Sequence, residues 1–133
     1  MRRFLAALFL CALMSAPASA GLASRAESYI GQTAGQLGLP RSLWCADFMN
    51  MLLDRRGADR HALSYARYGS PASHGCTDCI AVIAPGRKGG RWHVGVVKAY
   101  DPNGNPVIVS GNHGKHVGEG VYPRSRVKTY RNP

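Results

Sequence analysis

The fold is decided around the stretch Pro40-Arg41-Ser42-Leu43-Trp44-Cys45-Ala46-Asp47-Phe48-Met49-Asn50-Met51-Leu52-Leu53, which predicts an amphipathic helix. Ser42 is a suitable N-cap, because its hydroxyl can accept a hydrogen bond from a free N–H of the first turn. Arg55-Arg56-Gly57 then supplies cations near the last turn and a glycine to end the helix. A single apolar stripe recurs at helical spacing and consists of Trp44, Phe48, Met51 and Leu52.

Cys45 lies at the predicted start of this helix, which makes it a candidate nucleophile. The N-terminus of a helix carries partial positive charge and unpaired N–H groups. A thiol placed there is expected to have a lowered pKa, and the same N–H groups can hold a developing oxyanion. The alternative is a buried, inert cysteine on the core side of the helix.

Helices are predicted before the strands. A capping-box pattern at residues 24–27 opens a first helix that the spacing of apolar residues extends to Leu37. A shorter helix is predicted over residues 58–68. Strands are predicted over residues 80–83, 94–100, 107–109, 117–122 and 126–130. Helices followed by a meander of strands predict an α+β domain with an antiparallel sheet.

A hairpin turn is predicted at Asp101-Pro102-Asn103-Gly104-Asn105-Pro106, because Asn-Gly between apolar runs is a strong hairpin signal. If Asn-Gly forms a two-residue turn, Gly95 faces Asn112 across the hairpin. Because side chains alternate along a strand, His93, Ser110 and Asn112 then share one face of the sheet. A loop of three residues would change this parity and favour His113.

His93 is therefore the candidate base for Cys45, and Asn112 is its candidate orienting partner. Asn112 would lie diagonally across from the imidazole, within reach of a hydrogen bond. A nucleophile, a base and a polar group that orients the base form the general triad of covalent hydrolases.

The first 20 residues predict a secretory signal, so the protein is expected to be exported to the periplasm or beyond. Arg2-Arg3 is followed by an apolar core and by the small-residue cleavage site Ala18-Ser19-Ala20. The core is shorter than the roughly 20 residues that span a bilayer. Cleavage after Ala20 would leave one domain, residues 21–133, with no integral membrane segment.

The domain is basic, which favours attraction to anionic polymers such as cell-wall glycans or nucleic acid. Removal of Arg2 and Arg3 leaves 15 basic and 7 acidic residues, a formal charge of about +8. Nucleic-acid binding is the weakest alternative, because no recognised binding motif accompanies the basic residues of the C-terminal segment. Those residues are Arg124, Arg126, Lys128 and Arg131. We therefore expect no nucleic-acid partner.

Cys76-Thr77-Asp78-Cys79 predicts a local disulfide in an exported protein, which leaves Cys45 as the odd thiol. A zinc site is the alternative, since His74 lies beside the two cysteines and His113 or His116 could complete four ligands. We expect the disulfide, with no metal and no cofactor.

A resemblance to the CHAP and NlpC/P60 group of papain-like cysteine hydrolases is carried by three motifs in order: Trp44-Cys45-Ala46-Asp47-Phe48, Trp92-His93-Val94-Gly95-Val96-Val97 and Ser110-Gly111-Asn112. It extends from Tyr29-Ile30-Gly31 to the C-terminus. It is nearest to a small bacterial branch with a Trp-Cys-Ala start and an ending like Tyr122-Pro123-Arg124-Ser125-Arg126. Trp44 stands where NlpC/P60 members commonly have Asp, and Ser110 where CHAP enzymes often have Glu.

The resemblance implies a minimal papain-like fold, with a nucleophile helix packed on an antiparallel sheet. It implies that Cys45 is the nucleophile, His93 the general base and Asn112 the orienting residue. Trp44 and Ser110 would support the site, and the Cys45 N–H would hold the oxyanion. The implied activity is hydrolysis of peptidoglycan amide bonds, as an endopeptidase or an amidase. The alternative is a non-catalytic wall-binding or inhibitory protein with the same fold.

Overall fold

A six-stranded antiparallel sheet organises residues 21–133, the part of the chain that the computed structural model describes. The strand order across the sheet is β1-β6-β2-β3-β4-β5. The strands are β1 (Ser70–Ala72), β2 (Ile80–Ile83), β3 (His93–Tyr100), β4 (Pro106–His113), β5 (His116–Val121) and β6 (Val127–Asn132). The helices are α1 (Leu22–Glu27) and α2 (Cys45–Leu52), with short 3₁₀ helices at Ala62–Arg67 and Arg124–Arg126. The predicted α+β class is confirmed, whereas the predicted signal, residues 1–20, lies outside the described residues.

The sheet is buried on both faces near its middle, because strand side chains alternate between two apolar clusters. Ile80 and Val82 of β2 join the larger cluster, which lies under the helices. Ala81 and Ile83 join a smaller cluster on the opposite face. The helix-side cluster also contains Trp44, Phe48, Val94, Val96 and Val109. The opposite cluster contains Cys79, Val97, Ile108 and Tyr130.

Gly111 allows α2 to lie directly against β4. A Cβ atom at this position would lie 2.6 Å from the Cβ of Phe48 and 2.9 Å from Cε3 of Trp44. Only a residue without a side chain accommodates so close an approach of helix and strand. The contact fixes the start of α2 beside the last residues of β4.

Two predicted helices differ from the structure. The first ends at Glu27, and the prediction of helix up to Leu37 is wrong. Gly31 and Gly38 adopt left-handed backbone conformations, with φ of 89° and 67°, and the intervening chain runs through turns. The helix predicted over residues 58–68 is a 3₁₀ helix restricted to Ala62–Arg67.

The central helix is confirmed, but its N-terminus is not where the sequence placed it. The helix begins at Cys45, and its N-cap residue is Trp44, which makes no side-chain cap hydrogen bond. Ser42 lies outside the helix. Leu43, between them, has a positive φ of 52°, so the chain turns sharply just before the helix.

The five predicted strands are confirmed, and the one predicted over residues 107–109 is longer than expected, extending over Pro106–His113. Strand β1 was not predicted, because Ser-Pro-Ala carries no apolar alternation. It pairs with β6 at the edge of the sheet, where Pro71 lies opposite Arg131. Proline is tolerated at a sheet edge, since no further strand needs its missing N–H.

The hairpin between β3 and β4 combines a three-residue loop with a bulge. The Asp101 N–H donates to the Asn105 oxygen at 2.9 Å, so the predicted two-residue turn is wrong. Lys98 is an extra residue between the pairs Val97–Ile108 and Ala99–Val107. The extra residue in the strand and the extra residue in the loop together shift the pairing by two positions. Each side chain of β4 near the site therefore stays on the face of the sheet predicted for it.

Candidate active site

Cys45 is the first residue of α2 and carries the only free thiol within residues 21–133. Its side chain is nearly buried, with 6% of the residue exposed. The backbone N–H groups of Val94, Ala46 and Cys45 itself contact the sulfur. The contact with Val94 places the sulfur at the beginning of β3, beside His93.

Cys45 and His93 line the same cavity, which has a volume of about 300 Å³. Asn112 lines it as well, so the structure brings together the three residues predicted to be catalytic. His93 is the first residue of β3, and Asn112 lies close to the end of β4. The helix start and the ends of two neighbouring strands therefore build the site jointly.

Ser110 is the residue that holds the His93 ring. Nε2 of His93 lies 2.8 Å from Oγ of Ser110. The register explains the contact, because Val96 pairs with Val109 and the same register puts Gly95 opposite Ser110. Ser110 then lies diagonally across from His93, the position that the sequence had assigned to Asn112.

The predicted position of Asn112 diagonally across from His93 is therefore wrong, while its role in the site stays a prediction. Within residues 21–133, the Asn112 side chain makes no hydrogen bond to the ring of His93. Asn112 has a positive φ of 56° and lies where the pairing of β4 with β5 is irregular. It is half-buried in the cavity wall, where its amide can contact a bound molecule.

Tyr122 completes the surroundings of His93. The two rings stack, with centroids 5.6 Å apart and planes 26° from parallel. The Tyr122 hydroxyl lies beside Ser110 and 3.5 Å from Nδ1 of His113. Burial raises the pKa of Tyr122, and the Ser110 hydroxyl partly offsets this. His93, Ser110, Tyr122 and His113 thus form a row of neighbouring polar groups, with His113 at the end farthest from His93.

Burial dominates the electrostatics of both reactive groups. It raises the pKa of the Cys45 thiol, although the surrounding N–H groups act in the opposite direction. The lowered pKa predicted for Cys45 is thus not found. Burial also lowers the pKa of His93 to about 4, with smaller electrostatic contributions from His113 and Arg126. At neutral pH the resting site consists of a neutral thiol and a neutral imidazole.

Arg60 and His61 form a wall of the cavity that the sequence did not predict. Nε of Arg60 lies 3.0 Å from both carboxylate oxygens of Asp47, a buried residue of α2. Asn50 also holds this segment, since its side-chain amide donates to the oxygens of Ala58 and Asp59. In the sequence, the available signal for a basic partner was an acidic residue, Asp47, in the first turn of an apolar helix.

Trp44 supports the site by packing. The residue is 1% exposed, and its ring meets Phe48 edge-on, with centroids 6.4 Å apart. It anchors the first turn of α2 against Gly111, as described above, and thereby fixes the position of Cys45.

Cys76 and Cys79 are joined in a disulfide. His74, the third residue of the zinc alternative, contacts the Gly104 oxygen through Nε2 at 2.8 Å. No group of three or more His, Cys, Asp or Glu side chains is arranged to hold a metal ion within residues 21–133. The arrangement therefore gives the zinc alternative no support.

Comparisons of the chain with models of protein families, with curated proteins and with solved structures give no match. Within residues 21–133, no helix has the length and apolar character needed to cross a membrane.

Proposed function

We propose that the protein is an exported cysteine hydrolase with a minimal papain-like fold that cleaves amide bonds of peptidoglycan. One observation carries the proposal: a free thiol at a helix start and an imidazole held by Ser110 line one cavity. The disulfide is compatible with export. The resemblance of the three sequence motifs to CHAP and NlpC/P60 enzymes supplies the class of substrate.

The reaction begins with two neutral groups. Nε2 of His93 contacts Ser110, which leaves Nδ1 to take the thiol proton as the Cys45 sulfur attacks the amide carbonyl carbon. The proton moves during the attack, because burial disfavours both the thiolate and the imidazolium in the resting site. His93 therefore acts as a general base rather than as the cationic half of a preformed ion pair.

The second half of the reaction returns the proton. The Cys45 N–H, which lies beside the sulfur, donates to the carbonyl oxygen as it becomes negative. Protonated His93 then donates its proton to the leaving amine, and the C–N bond breaks. Water, deprotonated by His93, attacks the thioester and releases the acid and the free thiol.

The test is digestion of purified peptidoglycan, followed by mass spectrometry of the new ends. Wild-type protein should release fragments with a new amine and a new carboxylate, while Cys45→Ala should release none. Cys45→Ala keeps a small side chain in a nearly buried position, so it should fold. Equal digestion by both proteins would refute a thiol mechanism.

A non-catalytic wall-binding protein is the second candidate, and the burial of Cys45 favours it. An inert thiol is expected to be buried with a raised pKa, as this thiol is. In that case wild type and Cys45→Ala should bind insoluble peptidoglycan equally in a sedimentation assay, and neither should release fragments.

A further inference from the structure

A basic loop, Gly86-Arg87-Lys88-Gly89-Gly90-Arg91, connects β2 to β3 and ends two residues before His93. It lines a shallow groove together with Arg126. Gly90 and Arg91 also line the cavity that contains Cys45 and His93. The groove and the cavity thus adjoin each other at these two residues.

Within residues 21–133, the positive charges of this groove have no acidic partners. Every ion pair within residues 21–133 involves either Arg60 or Lys98. No carboxylate of the described chain therefore lies within 4.0 Å of a cationic nitrogen of the loop or of Arg126. The residues that line the groove and the cavity include no Asp or Glu.

The loop backbone forms a defined turn, and the Arg126 side chain is held by a hydrogen bond. Gly90 donates its N–H to the Arg87 oxygen at 3.0 Å, and Gly89 has a positive φ of 74°, so the loop closes in a tight turn. Nε of Arg126 donates to the Ala84 oxygen at 3.0 Å. The guanidinium lies against Gly86, where a Cβ atom would approach its central carbon to 3.0 Å.

The charge of the groove reaches the reactive groups, since Arg126 contributes to the lowered pKa of His93. Unpaired guanidinium groups bind planar carboxylates through two parallel hydrogen bonds. An acidic peptide whose scissile amide lies at Cys45 can place a carboxylate within a residue or two of that amide. Arg91 is the basic residue of the groove nearest to such a carboxylate, because it lines the same cavity as the thiol.

We propose that the basic loop and Arg126 form an anion subsite that binds a free carboxylate of the substrate next to the amide to be cleaved. The inference rests on the proposed hydrolase function and narrows its substrates to acidic peptides. Arg91 contacts the carboxylate at the mouth of the cavity, while Arg87 and Arg126 extend the positive surface away from it.

A binding experiment that needs no turnover tests the subsite. The full chain with Cys45→Ala is titrated calorimetrically with a synthetic stem peptide that has free carboxylates, and with the same peptide amidated. The amidated peptide should bind at least about 10-fold more weakly, as expected for loss of a charge-assisted contact. With Arg87→Gln and Arg91→Gln added, the two peptides should differ by less than about 2-fold.

The matched control is Arg67→Gln with Lys115→Gln, which removes the same charge from two exposed residues outside the groove. It should keep the full preference for the carboxylate. Equal binding of the two peptides to the parent protein, or an unchanged preference after the loop substitutions, would overturn the subsite. Tighter binding of a DNA oligonucleotide than of the acidic peptide would overturn its assignment to a carboxylate.

Hydrolysis separates this inference from the proposed function. If the protein with Cys45 intact cleaves both peptides with equal kcat/KM, the hydrolase stands and the subsite is wrong. If it cleaves neither peptide, but Cys45→Ala binds only the acidic one through the loop, the subsite stands and the hydrolase is wrong.

Discussion

The ring of His93 is held by Ser110, with 2.8 Å between Nε2 and Oγ. Ser110 is fully buried, so this hydrogen bond is shielded from water. The serine contacts both the imidazole and Tyr122, and the Tyr122 ring stacks on His93. In the proposed hydrolase, a neutral hydroxyl would therefore take the place that an amide or a carboxylate fills in the general triad.

Ser110→Ala should therefore impair hydrolysis more than Asn112→Ala. Loss of the hydroxyl frees the ring to rotate away from the sulfur, and we expect kcat to fall at least about 10-fold. Asn112→Ala should act mainly on KM, because Asn112 lines the cavity without holding the ring. The measurement is kcat and KM on one peptide substrate for both variants. A larger fall in kcat for Asn112→Ala would restore the original assignment.

The thiol of Cys45 should alkylate slowly at neutral pH. Burial raises its pKa, so little thiolate is present at pH 7. The rate of reaction with iodoacetamide should still be rising at about pH 9, and unfolding in guanidinium should accelerate the reaction at pH 7. A fast reaction that is already constant below pH 7 would instead indicate a thiolate–imidazolium pair.

The stability of the protein should fall as the pH drops from about 6.5 to about 4. The pKa of His93 is lowered to about 4 in the folded state, so the unfolded chain binds its proton first. Above the unfolded pKa both states are neutral and the full stability is present. Between the two values the unfolded state gains up to about 3 kcal/mol from this group.

Urea unfolding at a series of pH values measures this effect. His93→Gln should flatten the dependence between pH 4 and 6.5, because glutamine does not titrate. His116→Gln, the same substitution at an exposed histidine, is the matched control, and its slope is compared with that of His93→Gln. An unaltered slope in His93→Gln would show that another group binds the proton.

The strands and the placement of Cys45 and His93 around one cavity could be predicted, because alternation and order along the chain decide them. The residue that holds His93 could not. Its identity depends on an extra residue at Lys98, which is exposed and lies close to both Glu27 and Glu119. Nothing in the apolar pattern of β3 indicates a bulge, and a shift of two residues exchanges Asn112 for Ser110.

The pKa of Cys45 also depends on tertiary structure. The sequence gives the position of the thiol on the helix, which favours the thiolate. It does not give the depth of burial, which here has the larger effect. Arg60 likewise enters the site through its contact with Asp47, 13 residues away along the chain.

The approach of α2 to β4 provides a final test, because Gly111 separates two residues of the site and contacts the helix that carries a third. Gly111→Ala adds a methyl group where Phe48 and Trp44 leave no room. Helix and strand must separate, which should lower the free energy of unfolding by about 1–3 kcal/mol. Hydrolysis should fall further than stability explains, since Cys45 moves away from His93.

Gly35→Ala is the matched control for this substitution. A Cβ at Gly35 meets only the flexible end of Arg41, at 3.4 Å, and the residue is exposed. Its unfolding free energy in urea should stay within about 0.5 kcal/mol of wild type. If Gly111→Ala were as stable and as active as Gly35→Ala, the close contact of α2 with β4 would not be what positions the thiol.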